Sequence, residues 1–145
     1  DNSFRLFFLN LIIYIYLMYK AIHPLKILFY VSFCFLVFIS LFPGSIFGFL
    51  IYGDIKKTPY IINYSLENTF SHLLTYLYIS ILGFFIYLRE FYTKNIFLFF
   101  LSTSIFLEVI QILIPYRSFQ LFDLISNLLG VFLGFFIIKF FVKLR

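Results

Sequence analysis

Residues 95–134 read NIFLFFLSTSIFLEVIQILIPYRSFQLFDLISNLLGVFLG, and this stretch decides the fold. Two long apolar runs flank a short break that holds Pro115 and Arg117. Between Asn95 and Tyr116 the only charge is Glu108, and between Ser118 and Ile138 the only charge is Asp123. A hydrocarbon core needs about 20 apolar residues per helix, and each run supplies them. The break is too short for anything but an antiparallel neighbour. The pair reads as a transmembrane hairpin.

The same pattern continues outward. No charge falls between Lys26 and Asp54, or between Asn68 and Leu88. We therefore expect an all-α transmembrane bundle of four to five helices, near 5–22, 26–42, 69–89, 95–114 and 120–141. The first carries Asn10 and is short before Lys20. Pro24, Pro43, Pro59 and Pro115 are expected between spans, where a fixed φ and a missing N–H do no harm. Residues 44–68 form the longest connection. Its apolar piece Ile46–Tyr52 suits a loop lying partly in the membrane interface.

The composition agrees. Hydrophobic residues make up 63% of the chain and charged residues 12%, against about 25% charged in soluble domains. The mean hydropathy is +1.06. A soluble domain could not cover so much apolar surface. The 25 Phe and 12 Tyr are read as codon bias toward A and T rather than as the lining of an aromatic channel, and no function is drawn from them. The net charge of +5 does not indicate nucleic acid, because the basic residues lie between apolar runs and at the C-terminus. Cys34, the single cysteine, sits in an apolar run and reads as inert packing.

Lysine and arginine set the orientation. One side collects Lys20, Lys26, Arg89, Lys94, Lys139, Lys143 and Arg145; the other holds Arg5, Lys56, Lys57 and Arg117. The richer side is expected in the cytoplasm, with the C-terminus.

Polar residues inside the spans fall into stripes. One helix carries His72, Tyr76, Ser80 and Gly83; the next carries Ser104, Glu108, Gln111 and Pro115; the last carries Asp123, Asn127, Gly130 and Gly134. Such spacing places each set on one helix face, expected to face the interior. Depth sharpens the pattern. His72, Glu108, Gln111, Arg117, Asp123 and Asn127 should all lie toward the outer side. A charge at mid-bilayer costs at least about 2.5 kcal/mol, so these residues need partners or a task. A plainer role is structural: Arg117 pairing with Glu108 or Asp123, Gln111 and Asn127 as interhelical glue, and Gly130 and Gly134 as a packing face.

The spacing Glu108-x-x-Gln111-x-x-x-Pro115-x-Arg117, followed by Asp123-x-x-x-Asn127-x-x-Gly130-x-x-x-Gly134, resembles the VanZ-like family of small membrane proteins. His72-x-x-x-Tyr76 resembles an upstream element of that family, whose preceding Asp-Lys pair is Asn68-Thr69 here. The resemblance spans about residues 27–140. It divides the chain into an N-terminal apolar helix, 1–25, and a VanZ-like transmembrane domain, 26–145. It implies a bacterial inner membrane location. It also implies an envelope role connected with glycopeptide resistance, since the founding member is linked to resistance to teicoplanin.

Three functions compete. The outer cluster can bind a polar headgroup, such as a lipid-linked saccharide or peptidoglycan precursor, with Arg117 on phosphate or carboxylate. It can serve an enzyme acting on a lipid-linked substrate, with Glu108 or Asp123 as base, His72 as acid or base and Arg117 as clamp. It can instead be an assembly contact with other membrane subunits. Membrane lipids are expected partners. No metal site, cofactor or nucleic acid is expected: the sequence has neither H-E-x-x-H nor a phosphate-binding loop.

Overall fold

A computed structural model of the chain describes residues 2–59, 64–87 and 90–143. It is all-helical. Five α-helices follow in order: α1 (Asn2–Leu41), α2 (Ile46–Tyr52), α3 (Tyr64–Ile86), α4 (Glu90–Ile110) and α5 (Leu121–Lys143), with a 3₁₀ turn at Gln111–Leu113 after α4. Four of them contain stretches long and apolar enough to cross a membrane: Ile22–Leu41, Leu66–Ile86, Lys94–Leu113 and Leu121–Phe141. An integral membrane protein requires such helices.

The expected helix count is reached by a different route. No break occurs at residues 23–25. α1 continues through Pro24, so the helices read near 5–22 and 26–42 are one element. A proline inside a helix removes only one backbone hydrogen bond, and the helical turns on either side of Pro24 carry α1 through it. At 1.5 Å per residue α1 is about 60 Å long, roughly twice a hydrocarbon core. The fifth helix comes instead from the connection read as loop: Ile46–Tyr52 closes into α2. Ser45 caps it by accepting the Gly48 N–H at 3.0 Å, and Gly53 ends it in the left-handed conformation at φ 67°. The Ser45 N–H donates to the Ile55 carbonyl at 2.8 Å and folds residues 44–57 into one compact cap.

α3 and α5 form the most extensive helix pair. Glycines permit this closeness. A Cβ on Gly130 would stand 2.7 Å from the Leu73 carbonyl oxygen, and one on Gly134 would stand 2.1 Å from Ser80 Oγ. The polar stripes face inward as expected. Tyr76, Ser80, Ser104, Glu108, Gln111, Asp123 and Asn127 are all buried. Pro115 is the exception and is exposed. α4 gives way to the 3₁₀ turn at Gln111, and the tighter winding takes Pro115 off the buried face.

The two ends of the bundle differ in content. Toward the 86–90 connection the core is aromatic: Phe84 meets Phe100 and Phe135 edge-on, each with ring centroids 5.5 Å apart, and Phe29 meets Phe100 at 6.0 Å. Toward the α4–α5 turn it is polar. Outward, the bundle presents large apolar side chains such as Phe106, Phe136 and Phe140. Cys34 is among the exposed residues of α1.

Candidate functional site

The polar end is built from the start of α3, the end of α4 and the start of α5. Asp123 stands in the first turn of α5. Its Oδ1 accepts the Thr69 hydroxyl at 3.0 Å, and its Oδ2 accepts the Asn68 amide. His72 lies one turn further along α3, with Nε2 3.8 Å from Asp123 Oδ2. Its Nδ1 is 3.0 Å from Asn127 Oδ1, and the Asn127 amide N–H reaches Glu108 Oε2 at 3.4 Å. With the amide so oriented, its oxygen accepts, so Nδ1 of His72 carries the proton. The second oxygen of Glu108 accepts the backbone N–H of Gln120 at 3.1 Å. A continuous chain thus links α4, α5 and α3 through Glu108, Asn127, His72 and Asp123.

Arg117 turns the other way. Its Nε donates to the Phe42 carbonyl at 3.2 Å and its Nη2 to the Ile39 carbonyl at 3.0 Å. These carbonyls belong to the end of α1, where a helix leaves acceptors without intrahelical partners. A guanidinium there satisfies them and complements the negative helix end. Tyr116, just before it, holds a left-handed backbone at φ 62°, uncommon for a residue with a Cβ. That bend redirects the turn toward α1. The expectation that Arg117 staples the α4–α5 hairpin therefore needs widening, because it ties that hairpin to α1 across 75 residues.

A cavity of about 570 Å³ opens beside this network, within the range of small-molecule sites. α1, α3, the residue 44–58 cap and the turn at 111–117 enclose it. His72, Gln111 and Arg117 line it, whereas Glu108, Asp123 and Asn127 stand behind its wall. The six residues singled out in the sequence thus divide into a lining group and a supporting group. Gln111 is only 5% exposed, yet among the described residues its side-chain amide makes no hydrogen bond. The hydroxyl of buried Tyr76, also in the lining, makes none either. No fully buried side-chain polar atom among the described residues lacks a partner, so these two groups open onto the cavity, and whatever fills it, water or ligand, is their partner.

Asn68, Thr69 and Lys56 were missed in the sequence. Asn68 and Thr69 looked like mere departures from a charged pair, although their place one turn before His72 puts them on its helix face. Nothing in the sequence signals that Lys56, in a loop, reaches the cavity, where its ammonium sits 5.1 Å over the Tyr116 ring. Among the described residues no group of three His, Cys, Asp or Glu side chains is placed to hold a metal ion. No family model, no curated protein and no solved structure matches the chain.

Proposed function

We propose that this is a multi-pass membrane protein whose outer-facing polar cavity binds the headgroup of a polar or lipid-linked envelope molecule. The carrying observation is Gln111: an otherwise buried residue whose amide has no protein partner and opens onto a cavity that Arg117 and His72 also line. A ligand hydroxyl, amide or phosphate would supply what the chain does not. The basic-residue count supports the orientation. Among the described residues Lys20, Lys26, Lys94, Lys139 and Lys143 lie toward one side of the four spans and Lys56, Lys57 and Arg117 toward the side of the cavity; Arg5, counted with the latter in the sequence, falls with the former because α1 runs unbroken through Pro24. The C-terminus is then cytoplasmic, in a bacterial inner membrane. The resemblance to the VanZ-like family rests on the spacing of these residues, of which Asn127 contacts both Glu108 and His72. A link to glycopeptide resistance follows from that resemblance alone.

The test is lipid retention. Purified in mild detergent, the wild-type chain should carry an envelope lipid with a polar headgroup, detected by native mass spectrometry. Gln111→Leu should lose most of it, and Phe136→Leu, on the exposed face of α5, should keep it. Identical lipid profiles in all three proteins would sink the reading.

A second reading, a membrane enzyme on a lipid-linked substrate, is favoured by the Glu108–Asn127–His72 chain. That chain fixes the imidazole in one tautomer and leaves Nε2 toward Asp123, an arrangement suited to moving a proton. Glu108→Gln that keeps the lipid but stops its conversion would select this reading.

A further inference from the structure

We infer that the ligand is a phosphate-bearing lipid that enters sideways from the membrane between α1 and α3, with its phosphate at Lys56 and Arg117. This rests on the headgroup-binding reading above and narrows it to one charge class and one route.

Charge comes first. Among the described residues that line the cavity, Lys56 and Arg117 are cationic and none is a carboxylate. The acids nearby stand outside the lining and are engaged: Asp123 by Asn68 and Thr69, Glu108 by Asn127 and the Gln120 N–H, and Asp54 by the Lys56 N–H, while Glu67, next to Asn68, has a partner of its own. The Gln111 amide and Tyr76 hydroxyl, both able to donate, add to this cationic wall. Cations together with neutral donors, and no fixed negative charge, complement an anion such as phosphate.

The route follows from how α1 meets α3. Toward the 86–90 connection the two helices touch on the flank of the bundle: the Tyr30 and Tyr87 hydroxyls are 2.7 Å apart, and Ser32 Oγ is 3.2 Å from the Tyr78 hydroxyl. Above the Ser32–Tyr78 pair they separate, and the cavity fills the gap. Its lining runs along α1 from Ser32 to Ser40, roughly 12 Å of helix. Phe35 on α1 and Leu74 on α3 line this slot and are also exposed on the flank of the bundle. An apolar slot continuous with an apolar flank, ending at a cationic head site, matches an amphiphile rather than a free sugar or a free anion.

The chain has no tryptophan, so a single introduced one reports on a single place. Phe35→Trp in phosphatidylcholine nanodiscs would be titrated with brominated phosphatidic acid, and separately with brominated diacylglycerol, which has the same chains and no phosphate. Phosphatidic acid should quench at an at least fivefold lower mole fraction. Phe136→Trp on α5 should show no such preference. Adding Lys56→Gln to Phe35→Trp should raise the half-quenching fraction roughly fivefold, the loss of one lysine near an anionic headgroup. Competition by unbrominated polyprenyl phosphate then names the source. Relief at lower fractions than unbrominated phosphatidic acid indicates an envelope carrier lipid; weaker relief indicates a glycerophospholipid. Equal quenching by the two brominated lipids, or no effect of Lys56→Gln, overturns the inference. Relief by inorganic phosphate at equal concentration also overturns it, pointing to a free anion. If a neutral saccharide lipid is retained in the mass-spectrometric test while phosphatidic acid shows no preference here, only this inference fails. If no lipid is retained and none quenches selectively, the headgroup-binding reading fails with it.

Discussion

The aromatic end and the polar end of the bundle use the same helices under different rules. At the aromatic end, Phe29, Phe84, Phe100 and Phe135 meet at edge-on distances of 5.5–6.0 Å. Lipid is as apolar as these rings, so their association gains little from the hydrophobic effect and depends on close packing. Such contacts are individually weak and replaceable. At the polar end, no fully buried side-chain nitrogen or oxygen among the described residues lacks a partner. Within the Glu108–Asn127–His72 network each group depends on another. Removing a member strands the next, at about 1–3 kcal/mol for each group left unsatisfied. The aromatic end tolerates change, and the polar end transmits it.

That contrast can be broken at the seam joining the two ends. Gly130→Leu should have the largest effect. Its Cβ would meet backbone atoms of Leu73 and Leu77 at 2.7 and 2.8 Å, and backbone cannot step aside. α3 and α5 would have to separate, and little folded protein should accumulate in membranes. Accumulation at the wild-type level would show that the closeness of α3 and α5 is not what holds the ends together.

Asn127→Leu comes next. It strands the Glu108 Oε2 and the His72 Nδ1–H at once, and should cost about 3 kcal/mol in an unfolding assay in mild detergent. Phe100→Leu should cost less, about 1 kcal/mol, although Phe100 is as buried as Asn127. If the phenylalanine change proved the costlier, the contrast between the two ends would be reversed.

Much of the polar end was legible because helical periodicity is rigid. His72, Tyr76 and Ser80 share a face whatever surrounds them, and so do Asp123, Asn127 and Gly130. In a chain this apolar, a buried acid stands out without any structure. Pro115 shows the limit. Its spacing fits the stripe only if α4 stays α-helical to the end, and the 3₁₀ turn breaks that assumption. Pro24 shows another. A proline is a local signal that removes one hydrogen bond, and the helix on both sides of Pro24 continues through it. Arg117 shows a third. Its charge suggested a carboxylate partner close in sequence, and it does lie near enough to Glu108 to attract it, but its hydrogen bonds also reach the end of a helix 75 residues away.

The sequence by itself determined the helical class, the apolar spans, the inward polar faces and the depth at which six polar residues gather. All of these follow from composition and from a fixed 3.6-residue period. Only the tertiary structure decided which of the six support and which face open space. It put Glu108, Asp123 and Asn127 into an internal network and left Gln111 and Arg117 on a cavity wall beside Lys56. That division depends on how far α1 stands from α3, and on a left-handed turn at Tyr116. Both are set by packing between elements distant in sequence, which no local pattern encodes.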